Sequence, residues 1–210
     1  MSLVEYILLA ASSLFVIMDP VALVPLFLAM TPRDTPEQRQ RMARLACVTA
    51  AAVLMLFALA GQWIFRFLGI TLPAFQMAGS VVLLLIALDM LRAERSPVKE
   101  TQADTDDGAA KEDIAITPLA VPMLAGPGAI STTILLQSKA QGLAQQAALY
   151  GCIVAVCAAG YFILRLSARG AKWLNPLLMR VGTRLMGLLL AAIAFQFFIN
   201  ALKEIGLARG

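Results

Sequence analysis

The sequence contains no histidine, and this absence removes several kinds of chemistry. Histidine is the usual general base, the middle member of a Ser-His-Asp triad and the commonest nitrogen ligand of metals, so we expect no enzyme, no metal site and no cofactor. There are only three cysteines, Cys47, Cys152 and Cys157, and they fall inside apolar stretches without the paired spacing of a metal site or a disulfide framework. We interpret them as small packing residues.

Charge is also scarce. Only 14% of the residues are charged, whereas 60% are hydrophobic and the mean hydropathy is +0.80. This composition predicts an all-α, polytopic membrane protein whose surroundings are the lipid bilayer. The net charge of +4 then reflects membrane topology, and we expect no nucleic-acid partner.

Six apolar stretches are long enough to cross a bilayer core of about 30 Å. The first, from Tyr6 to Thr31, is interrupted by a single charge, Asp19, and is too long and too centrally broken for a cleaved signal peptide. The other five carry no charge: Leu45 to Phe65, Ile70 to Leu88, Ile114 to Ser138, Gly142 to Leu164 and Leu185 to Leu202.

Lysine and arginine are distributed unequally when the connections between spans are assigned alternately to two sides. Such a bias predicts that the basic side is cytoplasmic and that both termini lie outside the cytoplasm. The basic side carries Arg33, Arg39, Arg41, Arg44, Arg92, Arg95, Lys99, Lys111, Arg165, Arg169, Lys172, Arg180 and Arg184, and the other side carries Arg66, Lys139, Lys203 and Arg209.

The chain divides into two halves of three spans each. An acidic stretch, residues 93–113, contains Ser-Pro and Asp-Gly breaks and is predicted to be a cytoplasmic linker between residues 1–92 and 114–210. Because each half has an odd number of spans, the second half must enter the membrane from the opposite face. Each half also begins with a broken span, so we predict two inverted three-span repeats, as in several secondary transporters.

The first broken span contains Asp19-Pro20 and Pro25. Broken backbone at membrane depth persists only where protein buries it or where it lines a cavity. Pro20 would occupy the first position of a half-helix, with Asp19 as its N-cap. Asp19 is therefore interpreted either as a structural cap or as a group that binds a proton, a cation or an amine, and both roles are compatible.

The second broken span contains Pro118 and Pro122, followed by Gly126-Pro127-Gly128. A helix that resumes at Ala129 would present free N–H groups and a positive dipole end to the break, where a carboxylate could bind. Ser131, Thr132 and Thr133 lie in its first turns, either as ligands or as hydroxyls bonded to the preceding turn. The remaining intramembrane amides, Gln76, Gln196 and Asn200, are expected to form hydrogen bonds between helices.

These motifs carry a family resemblance. The sequences FVIMDP at residues 15–20, PLFLAMTP at 25–32 and PLAVPMLAGPGAIST at 118–132 resemble those of the MarC family of prokaryotic membrane proteins, over essentially the whole chain. The resemblance implies a multi-pass protein of the prokaryotic inner (plasma) membrane. The family is named for a multiple-antibiotic-resistance locus, and some relatives resemble neutral amino acid transporters. Val21-Ala22 departs from relatives that often have a glycine near the first break.

The leading functional hypothesis is a secondary transporter of small metabolites, most simply neutral amino acids, coupled to H⁺ or Na⁺. The alternatives are a drug or metabolite exporter and a non-transporting membrane scaffold. An intramembrane acid enzyme using Asp19 and Asp89 is disfavoured, because Asp89 is predicted near the cytoplasmic face and Asp19 deep in the membrane. The sequence is compatible with a monomer or a homo-oligomer.

Overall fold

The computed structural model describes residues 1–31, 34–92, 115–170 and 176–206. All regular elements in these ranges are helical, as predicted, and the described part of the chain contains no strand. The helices are α1 (Leu3–Met18), α2 (Leu23–Met30), α3 (Pro36–Leu68), α4 (Leu72–Arg92), α5 (Ala115–Leu124), α6 (Pro127–Lys139), α7 (Gly142–Gly170) and α8 (Pro176–Glu204). The linker predicted at residues 93–113 lies outside the described ranges, so the division into halves remains a prediction.

Four helices, α3, α4, α7 and α8, are each long and apolar enough to cross a membrane. Two further spans result if each bent pair is counted as one: α1 with α2, bent by 41°, and α5 with α6, bent by 54°. Large apolar side chains cover the outside of the chain, and among the most exposed are Leu143, Phe67, Leu166 and Val16. Such an exterior suits lipid and confirms a polytopic membrane protein.

Helix α3 is longer than the apolar stretch from which it was predicted. Its 33 residues span about 50 Å at 1.5 Å per residue, which exceeds the bilayer core. The helix begins early because Thr35 and Gln38 form a capping box and Pro36 occupies the first turn. Arg39, Arg41 and Arg44 therefore lie on the helix and not on a loop.

The helices form a central body and a peripheral pair. One continuous apolar core joins α1, α2, α3, α5, α6 and α7, and it includes all three cysteines, which are buried and free as predicted. Helices α4 and α8 pack mainly against each other through Leu83, Ala87, Leu190 and Ala194. Because α4 and α8 bury fewer of their residues than α3 and α7 do, the pair lies at the edge of the body.

Candidate functional site

The first break, residues 19–22, separates α1 from α2. Asp19 ends α1 by donating its N–H to the carbonyl of Phe15 at 3.0 Å, and its backbone adopts a left-handed conformation with φ 37°. The Asp19 carboxylate then accepts a hydrogen bond from the N–H of Ala22 at 3.1 Å. Asp19 is thus the C-cap of α1, and it is exposed. The prediction that it is the N-cap of the half-helix is wrong, because Ala22 occupies that position without a side-chain cap bond.

The half-helix that follows does not begin where the sequence placed it. Regular helix starts at Leu23, three residues after Pro20, so Pro25 occupies the third helical position and not the middle of the half-helix. The first turn of a helix needs no N–H donors, and proline is therefore accommodated there. Pro20 is buried and packs near Gly160 of α7, whereas Pro25 is exposed.

The second break, residues 125–126, follows the irregular segment α5. Thr117 and Val121, the residues before Pro118 and Pro122, have extended backbones, because proline disfavours helical geometry at the preceding residue. Both X-Pro peptide bonds are cis. The N–H of Ala125 reaches back to the carbonyl of Ala120 at 2.8 Å, five residues earlier, and this bond closes the segment.

Helix α6 begins at Pro127, with Gly126 as its N-cap, close to the predicted start. A side chain at position 126 would collide with the backbone oxygen of Pro122, because a Cβ there would lie 2.4 Å from it. Gly126 has no side chain to cap the helix, so it supplies no acceptor for the N–H groups of Gly128 and Ala129. This end of α6 therefore has the features of an anion site.

The fold brings the two breaks together. A Cβ on Gly128 would lie 3.3 Å from the side chain of Ile17, which is two residues before Asp19. The same atom would lie 3.2 Å from the ring of Phe197 in α8, while Pro127 packs directly against Gly79 in α4. The first turn of α6 therefore lies where the central body meets the α4/α8 pair.

Two of the three hydroxyls at the start of α6 bond to the preceding turn, as one of the two interpretations predicted. Ser131 donates to the carbonyl of Pro127 at 2.6 Å, and Thr133 donates to the carbonyl of Ala129 at 2.7 Å, so both bond to the preceding turn. Ser131 is buried and Thr132 is half-buried. Gln76 of α4 donates its amide to the Ser131 hydroxyl at 3.2 Å, which confirms the predicted bond between helices.

The corresponding prediction for Gln196 and Asn200 is wrong. The Gln196 amide donates to the side-chain oxygen of Asn200 at 2.9 Å, and both residues belong to α8. Residues four apart lie on one face of a helix, so the two amides pair along α8 and not across to a neighbour.

Arg39 is a structural residue that sequence reasoning treated only as a topological charge. Only 5% of it is exposed, and its guanidinium donates two hydrogen bonds to the carbonyl of Thr31, from Nε at 3.0 Å and from Nη2 at 2.6 Å. Thr31 ends α2, so a cation fixes the negative end of the half-helix. No periodicity signals this contact, which joins residues eight positions apart in two different elements.

Hydrogen bonds attach α1 and the residue Met1 before it to the second half of the chain. The buried Tyr6 hydroxyl donates to the carbonyl of Leu136 in α6 at 2.9 Å, and Gln145 of α7 donates to the carbonyl of Met1 at 3.0 Å. The bond from Tyr6 to Leu136 therefore joins the first broken helix to the second, at residues that lie well away from either break in the sequence.

Taken together, these helices define an integral membrane protein in which two bent, proline-containing helix pairs meet inside a bundle of apolar helices. Comparison with known sequences gives the family. The chain belongs to the MarC family of integral membrane proteins, whose family model matches residues 4–206.

Curated relatives are named only as membrane proteins. One from Methanocaldococcus jannaschii is 35% identical over 199 residues, which cover 95% of this chain and 97% of the relative. YvbG of Bacillus subtilis is 35% identical over 192 residues (91% of each chain), and YhcE of Escherichia coli is 32% identical over 201 residues (91% of this chain, 89% of the relative). No solved structure matches the chain significantly.

Proposed function

We propose that this protein is a secondary transporter of small metabolites in the prokaryotic inner membrane, with neutral amino acids as the preferred substrates. The observation that carries the proposal is the close approach of the two breaks. Gly128, two residues after the second break, lies against Ile17, two residues before the first. A scaffold has no need of broken helices at membrane depth, whereas transporters place substrate sites at such points.

The chemistry of the junction suits a zwitterion. The uncapped end of α6 offers N–H groups and a positive dipole to a carboxylate. Asp19 lies in the first break, and it would bind the ammonium group or carry a coupling proton. Ser131 and Thr132 would complete the binding shell. The substrate would bind without a metal or a cofactor, and either H⁺ or Na⁺ would serve as the coupling ion.

Alternating access would come from two inverted repeats, in which α1–α2, α3 and α4 correspond to α5–α6, α7 and α8. Helix packing supports this correspondence. When the two halves are exchanged, the contacting pairs α3–α7 and α4–α8 stay the same. The contact α3–α5 becomes α7–α1, α3–α6 becomes α7–α2, and α2–α8 becomes α6–α4, and all of these helix pairs are in contact. The contacts α1–α6, α4–α5 and α6–α7 lack an equally extensive counterpart, so the relation is approximate. The fourth residue of each middle helix, Arg39 and Gln145, is a buried polar group.

The proposed orientation has both termini outside the cytoplasm, on the strength of the lysine and arginine bias. The start of α3, with Arg41 and Arg44 exposed on its first turns, would then lie at the cytoplasmic surface. The site between the body and the α4/α8 pair would open alternately to the two sides as these parts move against each other.

The test is uptake and counterflow of labelled alanine, serine and glycine in proteoliposomes, under an imposed proton gradient, an imposed sodium gradient and no gradient. Protein-free liposomes are the control. Saturable flux that one gradient drives uphill is the expected result and identifies the coupling ion. If the folded protein moves none of the three, the amino acid assignment fails, and a broad metabolite export screen would test the exporter alternative.

A further inference from the structure

Gln76 is the most unusual polar side chain at the junction. It lies on α4 with 8% of its surface exposed, and its amide nitrogen is 3.2 Å from the Ser131 hydroxyl. Its carbonyl oxygen, Oε1, is buried and has no hydrogen-bond partner among the described residues. A buried amide oxygen without a partner is costly, so such groups in native proteins usually have a ligand, a water or a function.

The orientation of this amide follows from the bonds around it. Ser131 has one hydroxyl proton, which it donates to the carbonyl of Pro127 at 2.6 Å. The Ser131 oxygen can therefore only accept from Gln76, which requires the amide nitrogen to face it. A flipped amide would set two acceptor oxygens against each other, so Oε1 must point away from Ser131 and remains available to a donor.

The position of Oε1 restricts which ligands could donate a hydrogen bond to it. Gln76 lies three residues before Gly79, on the face of α4 that contacts Pro127 at the start of α6. A free acceptor therefore lies close to a helix end that attracts anions. A ligand that satisfies both needs an anionic group and a hydrogen-bond donor on neighbouring atoms, and an α-amino acid has both.

We propose that Gln76 is a specificity-determining residue whose Oε1 accepts a hydrogen bond from the ammonium group of an amino acid with its carboxylate at the N-terminus of α6. The inference rests on the proposed function and deepens it. Gln76 distinguishes amino acids from simple carboxylates that could also bind the helix end. With Gln76 on the ammonium group, Asp19 is left for the coupling proton.

The test compares binding of alanine with binding of propionate, which is alanine without the amine. Dissociation constants are obtained from ligand-dependent thermal stabilisation of the purified full chain. The variant is Gln76→Met, because methionine keeps the length of the side chain and lacks the amide. The matched control is Gln196→Met, which removes an exposed amide from α8. Gln76→Asn, whose shorter side chain withdraws the oxygen, is a second variant in case the first does not fold.

In the wild type and in Gln196→Met, alanine is expected to bind more tightly than propionate. In either Gln76 variant the alanine-to-propionate affinity ratio should fall about ten-fold or more, the usual value of a hydrogen bond to a charged group, while propionate binding changes little. If alanine binds the wild type and the ratio survives in both variants, Oε1 holds only water and this inference is overturned while the proposed function stands. If the wild type binds no amino acid, the proposed substrate class fails and this inference fails with it.

Discussion

Gly79 provides a sharp test of how the α4/α8 pair meets the second break. A methyl group at this position, as in Gly79→Ala, would lie 2.1 Å from Cγ of Pro127 and 3.1 Å from its Cδ. A proline ring can change only its pucker, which would leave Cδ and Cβ of Pro127 still closer than the 3.4 Å at which ordinary van der Waals contact begins. Helices α4 and α6 must therefore separate by more than an ångström.

The expected cost follows from a comparison with Gly151→Ala in α7, where an added Cβ meets nothing within 4 Å. Both variants gain about 1 kcal/mol of helix propensity, and only Gly79→Ala also suffers overpacking of about 1–3 kcal/mol. The difference between the two is the overpacking cost alone. For a chain of this size, the Tm of Gly79→Ala should therefore be lower than that of Gly151→Ala by about 2 to 12 °C, at about 2–4 °C per kcal/mol.

The assay is thermal unfolding of both variants and the wild type in one detergent, followed by intrinsic fluorescence and by size-exclusion chromatography after heating. We expect Gly151→Ala to unfold at or above the wild-type temperature and Gly79→Ala clearly below Gly151→Ala. Equal melting temperatures for the two variants would refute the direct packing of α4 against the start of α6, and with it the position of the α4/α8 pair beside the breaks.

Two further substitutions test the contacts that hold the broken helices. Arg39→Gln removes the guanidinium from the carbonyl of Thr31 and should lower the free energy of unfolding by about 1.5–3 kcal/mol, as measured by thermal unfolding. Tyr6→Phe removes the hydroxyl that binds the carbonyl of Leu136 and should cost about 1 kcal/mol in the same measurement.

Each of these substitutions has a matched control. Arg44→Gln removes an exposed arginine from the same helix as Arg39, and Tyr161→Phe removes a half-buried hydroxyl from α7. Both controls should change the free energy of unfolding by less than about 0.5 kcal/mol. If Arg39→Gln or Tyr6→Phe is as stable as its control, the corresponding hydrogen bonds do not hold the broken helices in place.

The positions of the breaks could be predicted because their causes are local. Proline lacks an N–H and restricts the residue before it, so Pro118, Pro122 and Pro127 specify irregular backbone whatever surrounds them. The early start of α3 was also readable, since Thr35, Pro36 and Gln38 form a recognisable helix-start pattern. Hydropathy alone does not predict this start, because the apolar stretch begins only after the charged first turns of the helix.

The contacts across the junction could not be predicted in the same way. The bond between Gln76 and Ser131 joins residues 55 positions apart, and it depends on how α4 and α6 pack. The burial of Arg39 likewise depends on how the start of α3 lies against the end of α2. By contrast, the four-residue spacing of Gln196 and Asn200 was a signal for a bond within one helix.

The role of Asp19 is the central claim, and the Asp19→Asn variant separates its two possible functions. Asparagine is also a good capping residue and tolerates the left-handed backbone at this position, so the bond to Ala22 and the fold should persist while the charge is lost. Asp89→Asn, which changes an exposed aspartate in α4, is the matched control.

The measurement is gradient-driven uptake of labelled alanine into proteoliposomes containing wild type, Asp19→Asn or Asp89→Asn. We expect uptake by the wild type and Asp89→Asn, and no uptake above that of protein-free liposomes by correctly folded Asp19→Asn. Uptake by Asp19→Asn at the wild-type rate would show that the charge takes no part in transport and would leave Asp19 as a structural cap only.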